Sequence, residues 1–246
     1  MCGLMLVPMF TATGLVVKLF HEKQARIAED WRAAGNANLT AGHAKEAIED
    51  FRNALLYAPD SSLLQLELSR ALIEQGKIDE AKYYLLNLRA ANPQDAPAIL
   101  ELARIAVRQG NVDDAASLYH DAMYGHWPGS PNENRRAARS ELIEYFLQNG
   151  RKDSARSEAL AMAVENPGDP DARIAAGEFL LRADDPRNAL TEFDRALRLE
   201  PRSGAARAGR EKAKALIDER ERAAETSNEF SRPSQPSSTD DHRKPN

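Results

Sequence analysis

A spacing constrains this chain more than any other feature. Gly42 is followed by Gly76 and Gly110 at 34-residue steps, then by Gly150 after 40 residues, and Asp184 takes the next 34-residue step. An alanine sits five residues beyond each marker: Ala47, Ala81, Ala115, Ala155 and Ala189. Four residues further on stand Phe51, Leu85, Tyr119, Ala159 and Phe193. Pro59, Pro93, Pro167 and Pro201 close four units, and Pro128 comes one place late in the other. A fixed period kept by several positions marks a repeat architecture, in which each unit buries its apolar face only against its neighbours. Each unit reads as two short helices. The first ends at the glycine, which suits a left-handed helix stop. The second ends before the proline, which cannot continue a helix. Asp60, Asp95 and Asp169 are expected to cap the helices that follow. No alternating strand pattern bounded by turns is found.

The residues inside the period carry a family resemblance. The first unit, AEDWRAAGNANLTAGHAKEAIEDFRNALLYAPDS (28–61), resembles a tetratricopeptide repeat through Trp31, Gly35, Ala47, Phe51, Ala54 and Pro59. It departs at Ala34, where leucine is usual, and at Asn38, where tyrosine is usual. The units at 62–95, 96–129, 136–169 and 170–203 keep the pattern with growing divergence. The resemblance implies an all-α, right-handed α-solenoid of about five helix-turn-helix repeats over 21–203. The charged segment 204–225 is expected to be a helix that caps the open end of the stack. The Ser- and Pro-rich stretch 226–246 is expected to be a disordered tail. The small residues then make sense, because a short side chain at a helix crossing lets two axes approach.

Six extra residues separate the third and fourth units. Gly, Pro, Ser and Asn mark 124–135 as a loop. Tyr124 and Trp127 in it either cover the edge of a helix pair or form a binding protrusion.

The first 17 residues carry no charged side chain. A cleaved signal peptide, apolar packing against the repeats, and a membrane anchor compete for 1–20, and the anchor is favoured. Lys18, Lys23, Arg26 and Arg32 follow the apolar run. That bias places the repeats on the cytoplasmic side, with the periplasmic or extracytoplasmic side left open.

No chemistry is legible. The sequence has no P-loop, no GxGxxG and no GxSxG, and its five histidines are dispersed. No catalytic residue, metal site or cofactor is assigned, and the chain is read as a non-enzyme. A net charge of −5 gives no support for nucleic-acid binding. A lone Cys2 permits no internal disulfide.

Binding is the remaining reading. The resemblance implies that the first helix of each pair lines an extended concave groove, which places Arg32, Asn36, Arg70, Arg104 and Arg108 there. A basic strip of this kind would receive a protein or peptide partner with an acidic segment. Pairing with Glu67, Glu74 and Glu101 in the same helices is the competing account. Arg32 and Asn36 resemble the first two positions of the family's chaperone-binding carboxylate clamp. Glu67, Pro97 and Glu101 stand where the other three should be, which argues against that partner. The leading function is a membrane-tethered interaction scaffold. The alternative is an assembly module that self-associates, or joins a membrane or envelope complex, through its convex face or the Trp127 loop.

Overall fold

The computed structural model describes the backbone of residues 6–230, with side chains described over 16–226. Among the described residues there are eleven helices and no strand. They are α1 (Leu6–Thr40), α2 (Ala44–Tyr57), α3 (Ser62–Glu74), α4 (Ile78–Ala91), α5 (Ala96–Arg108), α6 (Val112–Tyr124), α7 (Pro131–Gln148), α8 (Lys152–Glu165), α9 (Pro170–Arg182), α10 (Pro186–Leu199) and α11 (Gly204–Phe230). The chain is thus an all-α solenoid of helix pairs. It divides into two compact units, residues 1–145 and 146–246.

The repeat markers do what their chemistry dictates. Gly42, Gly76, Gly110 and Gly150 all have φ between 70° and 80°, and Asp184 adopts φ 68° in the equivalent place. The amide after each marker donates back to a carbonyl five residues earlier: His43 to Asn38, Lys77 to Leu72, Asn111 to Ala106, Arg151 to Phe146 and Asp185 to Leu180. This geometry satisfies carbonyls that a helix end would otherwise orphan. The N-caps differ from expectation in one case. Asp95 and Asp169 accept amide hydrogen bonds as expected, whereas Ser61, not Asp60, caps α3. Ser61 directly precedes the helix, so its hydroxyl reaches the Leu64 amide.

In the N-terminal unit, α1 packs on α2, α3 on α4 and α5 on α6, and successive pairs stack through α2–α3 and α4–α5 contacts. Ala47, Ala81, Ala115, Ala155 and Ala189 are all fully buried. The closest approaches use glycine. A Cβ on Gly35 would lie 2.7 Å from the Phe51 ring. In the C-terminal unit, Gly177 stands in the same repeat place, where a Cβ would lie 2.8 Å from the Phe193 ring. The two phenylalanines fill the space that the two glycines vacate.

Three expectations are corrected. No helix among the described residues is long and apolar enough to cross a membrane. The apolar part of α1, Leu6 to Val17, spans about 18 Å at 1.5 Å per residue, against roughly 30 Å of hydrocarbon. Lys18, Glu22 and Lys23 then follow in the same helix. The anchor is overturned, and with it the assignment of a membrane side; residues 1–5 of that segment lie outside the described ones. Second, the loop is shorter than 124–135 and covers only 125–130. α6 includes Tyr124 and α7 begins at Pro131, which suits a first helical position. Much of the insertion lengthens α7 to 18 residues, against 13 in α3, α5 and α9. Third, α11 runs on to Phe230, into the stretch expected to be tail, and 231–246 lie outside the described residues.

Candidate functional site

The five groove candidates lie on the first helices α1, α3 and α5 of the N-terminal unit, and each meets a carboxylate. The ninth residue of one repeat reaches the sixth residue of the next. Asn36 Nδ2 donates to Glu67 Oε1 at 3.4 Å. Arg70 Nε donates to Glu101 Oε1 at 2.7 Å. Arg104 grips Glu141 with two bonds, Nε to Oε2 at 2.9 Å and Nη2 to Oε1 at 2.6 Å. The first two rungs join residues 31 apart and the third joins residues 37 apart, so the six inserted residues leave the ladder in register.

The rungs interlock. Arg104 Nη1 also donates to Glu101 Oε1 at 2.8 Å, so one buried carboxylate oxygen holds two guanidinium groups. The Glu141 hydrogen bond chiefly raises the Arg104 pKa above its ordinary value, against the cost of burial. The Tyr119 hydroxyl donates to Glu141 Oε2 at 3.1 Å, and burial above all pushes its pKa up. Arg32 Nη1 donates to Glu29 at 3.1 Å. Its Nε lies 3.4 Å from Glu67 Oε2, yet both atoms are buried without an aligned hydrogen bond. We read this as an attraction of charges rather than a bond. Burial raises the Glu67 pKa, while the Asn36 hydrogen bond and the Arg32 and Arg70 charges oppose it. Arg108 closes the end of α3, giving Nη1 to the Ile73 carbonyl and Nη2 to Glu74, both at 3.0 Å.

The face is therefore an alternation of charges rather than a basic strip. Four arginines meet Glu67, Glu74, Glu101 and Glu141. Glu141 escaped the sequence reading because the insertion shifts its number; counting from the start of each repeat exposes Glu67, Glu101 and Glu141 as one position. A pocket of about 360 Å3 opens among Leu39, Arg70, Ile73, Glu74, Arg104 and Arg108. Arg70 differs from the other arginines. Its side chain is 41% exposed, and only its Nε has a partner among the described residues. Its two terminal amino groups remain as donors. Arg104 has all three nitrogens engaged.

Trp127 does not protrude. It is 9% exposed, and its indole Nε1 donates to the Ala122 carbonyl at 2.8 Å. The loop is tied to the start of α5 by His126 N to Gln94 O at 2.6 Å and Ala96 N to His126 O at 3.2 Å. The protrusion reading is thus corrected for Trp127. Tyr124 is exposed, with the Arg135 guanidinium 5.9 Å from its ring centre and Arg139 donating to its oxygen at 3.2 Å.

The C-terminal unit holds a pocket that the sequence reading missed. This pocket of about 660 Å3 is lined by the apolar Leu181, Phe193, Ala208, Gly209 and Leu216 together with the charged Glu178, Arg182 and Lys212. Glu178, Leu181 and Arg182 occupy the repeat places of Arg70, Ile73 and Glu74. That equivalence was the available signal.

Two models of the tetratricopeptide repeat match residues 38–99 and 100–172, a continuous span covering more than half of the chain. No curated protein matches. Among solved structures, PilF of Pseudomonas aeruginosa is similar at 15% identity and TM-score 0.56, covering 82% of this chain and 90% of that one. A tetratricopeptide repeat protein of Parabacteroides merdae is similar at 16% identity and TM-score 0.50, covering 85% and 81%. A chain of the APC/C hetero-tetramer Cut9–Hcn1 is similar at 18% identity and TM-score 0.48; it covers 76% of this chain, which spans only 36% of that longer one. For PilF and the Parabacteroides merdae protein, at these identities, the likeness is one of fold.

Proposed function

Since this chain is built of tetratricopeptide repeats, a family whose members mediate protein–protein interactions, we propose that it is a non-enzymatic interaction scaffold that takes a partner segment on the face of α1, α3 and α5. One observation carries the reading: the pocket beside Arg70 combines unpartnered guanidinium donors with the aliphatic Leu39 and Ile73. A planar guanidinium with two spare amino groups favours a carboxylate held by two hydrogen bonds. The segment that fits is a peptide presenting one carboxylate next to an aliphatic side chain. A long acidic run fits poorly, because Glu74 and Glu101 line the same pocket.

Affinity capture with the purified chain tests this. Arg70→Ala is expected to lose the captured partner while keeping the parental unfolding curve, since Arg104 still serves Glu101. Arg104→Ala is expected to lower stability instead. Undiminished capture by a folded Arg70→Ala protein rejects Arg70 as the recognition group.

A further inference from the structure

A third hollow lies away from the first-helix face, among α4, α5 and α6 of the N-terminal unit. Its volume is about 350 Å3. One wall is Lys82, Leu86 and Arg89 of α4, spaced at i, i+4 and i+7, so they share a helix face. The other wall is Asp114, Leu118 and Asp121 of α6, with the same spacing. Leu102 and Ile105 of α5 make the floor. The walls carry opposite charge, with an apolar residue at the centre of each. Leu86 is 49% exposed.

The charges are incompletely used within the chain. Arg89 and Asp121 bridge one end of the hollow at 3.1 Å, and both are solvent-exposed enough that such a pair contributes little. At the other end Lys82 has no acidic partner among the described residues. Asp114 accepts a hydrogen bond from the Asn111 amide but has no basic partner among them.

We propose that this hollow is a self-association surface whose occupant is a second copy of the chain. A two-fold axis running along the hollow lays α4 of each copy over α6 of the other. Lys82 and Arg89 of one copy then face Asp114 and Asp121 of the other, twice, with Leu86 against Leu118 between them. This is the self-complementarity that a two-fold contact requires. The surface is independent of the Arg70 pocket, so either reading stands if the other fails.

Sedimentation of the full chain at low salt, over a range of concentrations, tests the proposal. The parent is expected to form a dimer. Two charge-reversed variants, Lys82→Glu with Arg89→Glu and Asp114→Lys with Asp121→Lys, each place like charges in both contacts. Each is expected to raise the dimer dissociation constant at least tenfold. An equimolar mixture of the two variants restores both attractions and is expected to recover the dimer. Circular dichroism checks that each variant stays helical; if one does not, Leu86→Glu serves in its place as the dissociating variant. A monomeric parent overturns the proposal. So does a dimer indifferent to both reversals, or a mixture of folded variants that stays monomeric.

Discussion

The same places in the repeat do opposite things in the two units. In the N-terminal unit, Arg70 stands ninth in its repeat and donates to Glu101, sixth in the next. In the C-terminal unit, Glu178 stands ninth, and the sixth place of α11 is Gly209. That glycine has no room for a carboxylate, because a Cβ there would lie 2.4 Å from the Phe193 ring. One face is therefore stitched by ion pairs, and the other closes over an aromatic ring and leaves an apolar hollow. The repeat frame determines where a side chain stands. One or two substitutions per repeat decide whether that place is polar, apolar or closed.

Phe193→Ala probes the apolar side and should have the largest effect. The ring is fully buried, and deleting it should cost about 3–5 kcal/mol by denaturant unfolding. A loss below 1 kcal/mol would mean that Gly177 and Gly209 do not pack on it. Gly209→Ala comes next. A mid-helix Gly→Ala change ordinarily stabilises by up to about 1 kcal/mol; here overpacking against Phe193 should reverse the sign and cost about 1–3 kcal/mol. On the charged side, Glu101→Ala leaves the Arg70 Nε and the Arg104 Nη1 without their acceptor, and should cost about 1–3 kcal/mol. A neutral result would make the ladder ornamental.

The helix stops sharpen the comparison more gently. Asp184 pays for a left-handed conformation that glycine holds freely in the four other repeats. Asp184→Gly should raise stability by about 0.5–1 kcal/mol, offset in part by the lost exposed pairs to Lys152 and Arg220. A drop in the melting midpoint would show that those pairs matter more than the backbone. The smallest effect is expected at Glu67. Its pKa is raised from 4.5 mainly by burial, so ionising it is a cost borne by the folded state. That cost appears as pH climbs from 4.5 through the folded value and is relieved as pH falls. The stability difference between Glu67→Gln and the parent should thus shift in favour of the variant from pH 4 to pH 7. A difference flat across that range would show that Arg32 and Asn36 offset the burial.

Much of the architecture was legible because helix stops and close packing are local demands. Gly42, Gly76 and Gly110 announce a left-handed turn, and Ala47, Ala81 and Ala115 announce a close crossing. Lengths were less legible. The insertion looked like a loop because Gly, Pro and Asn dominate it, yet Pro131 starts a helix as readily as it ends one. The apolar start reads as an anchor because seventeen residues without charge reach the lower limit for a span, yet within α1 the apolar part, Leu6 to Val17, is too short. The arginines were legible as one face, and pairing with Glu67, Glu74 and Glu101 as the competing account; the pairs that cross between repeats, Arg70 to Glu101 and Arg108 to Glu74, were not.

What the sequence by itself determined is the period, the helix pairs and the places that face one another, because these follow from backbone conformation and side-chain size within a few tens of residues. What only the tertiary structure decided is the ion pairing along the first-helix face and the burial of Trp127. Each depends on which group from another segment arrives within hydrogen-bond reach. Arg70 keeps two free amino groups and Arg104 keeps none because Glu141 is delivered to Arg104 by a helix 37 residues away. The repeat register says that the two places face each other; only the folded chain shows that Glu141 takes two of the Arg104 nitrogens while Glu101 takes one of Arg70.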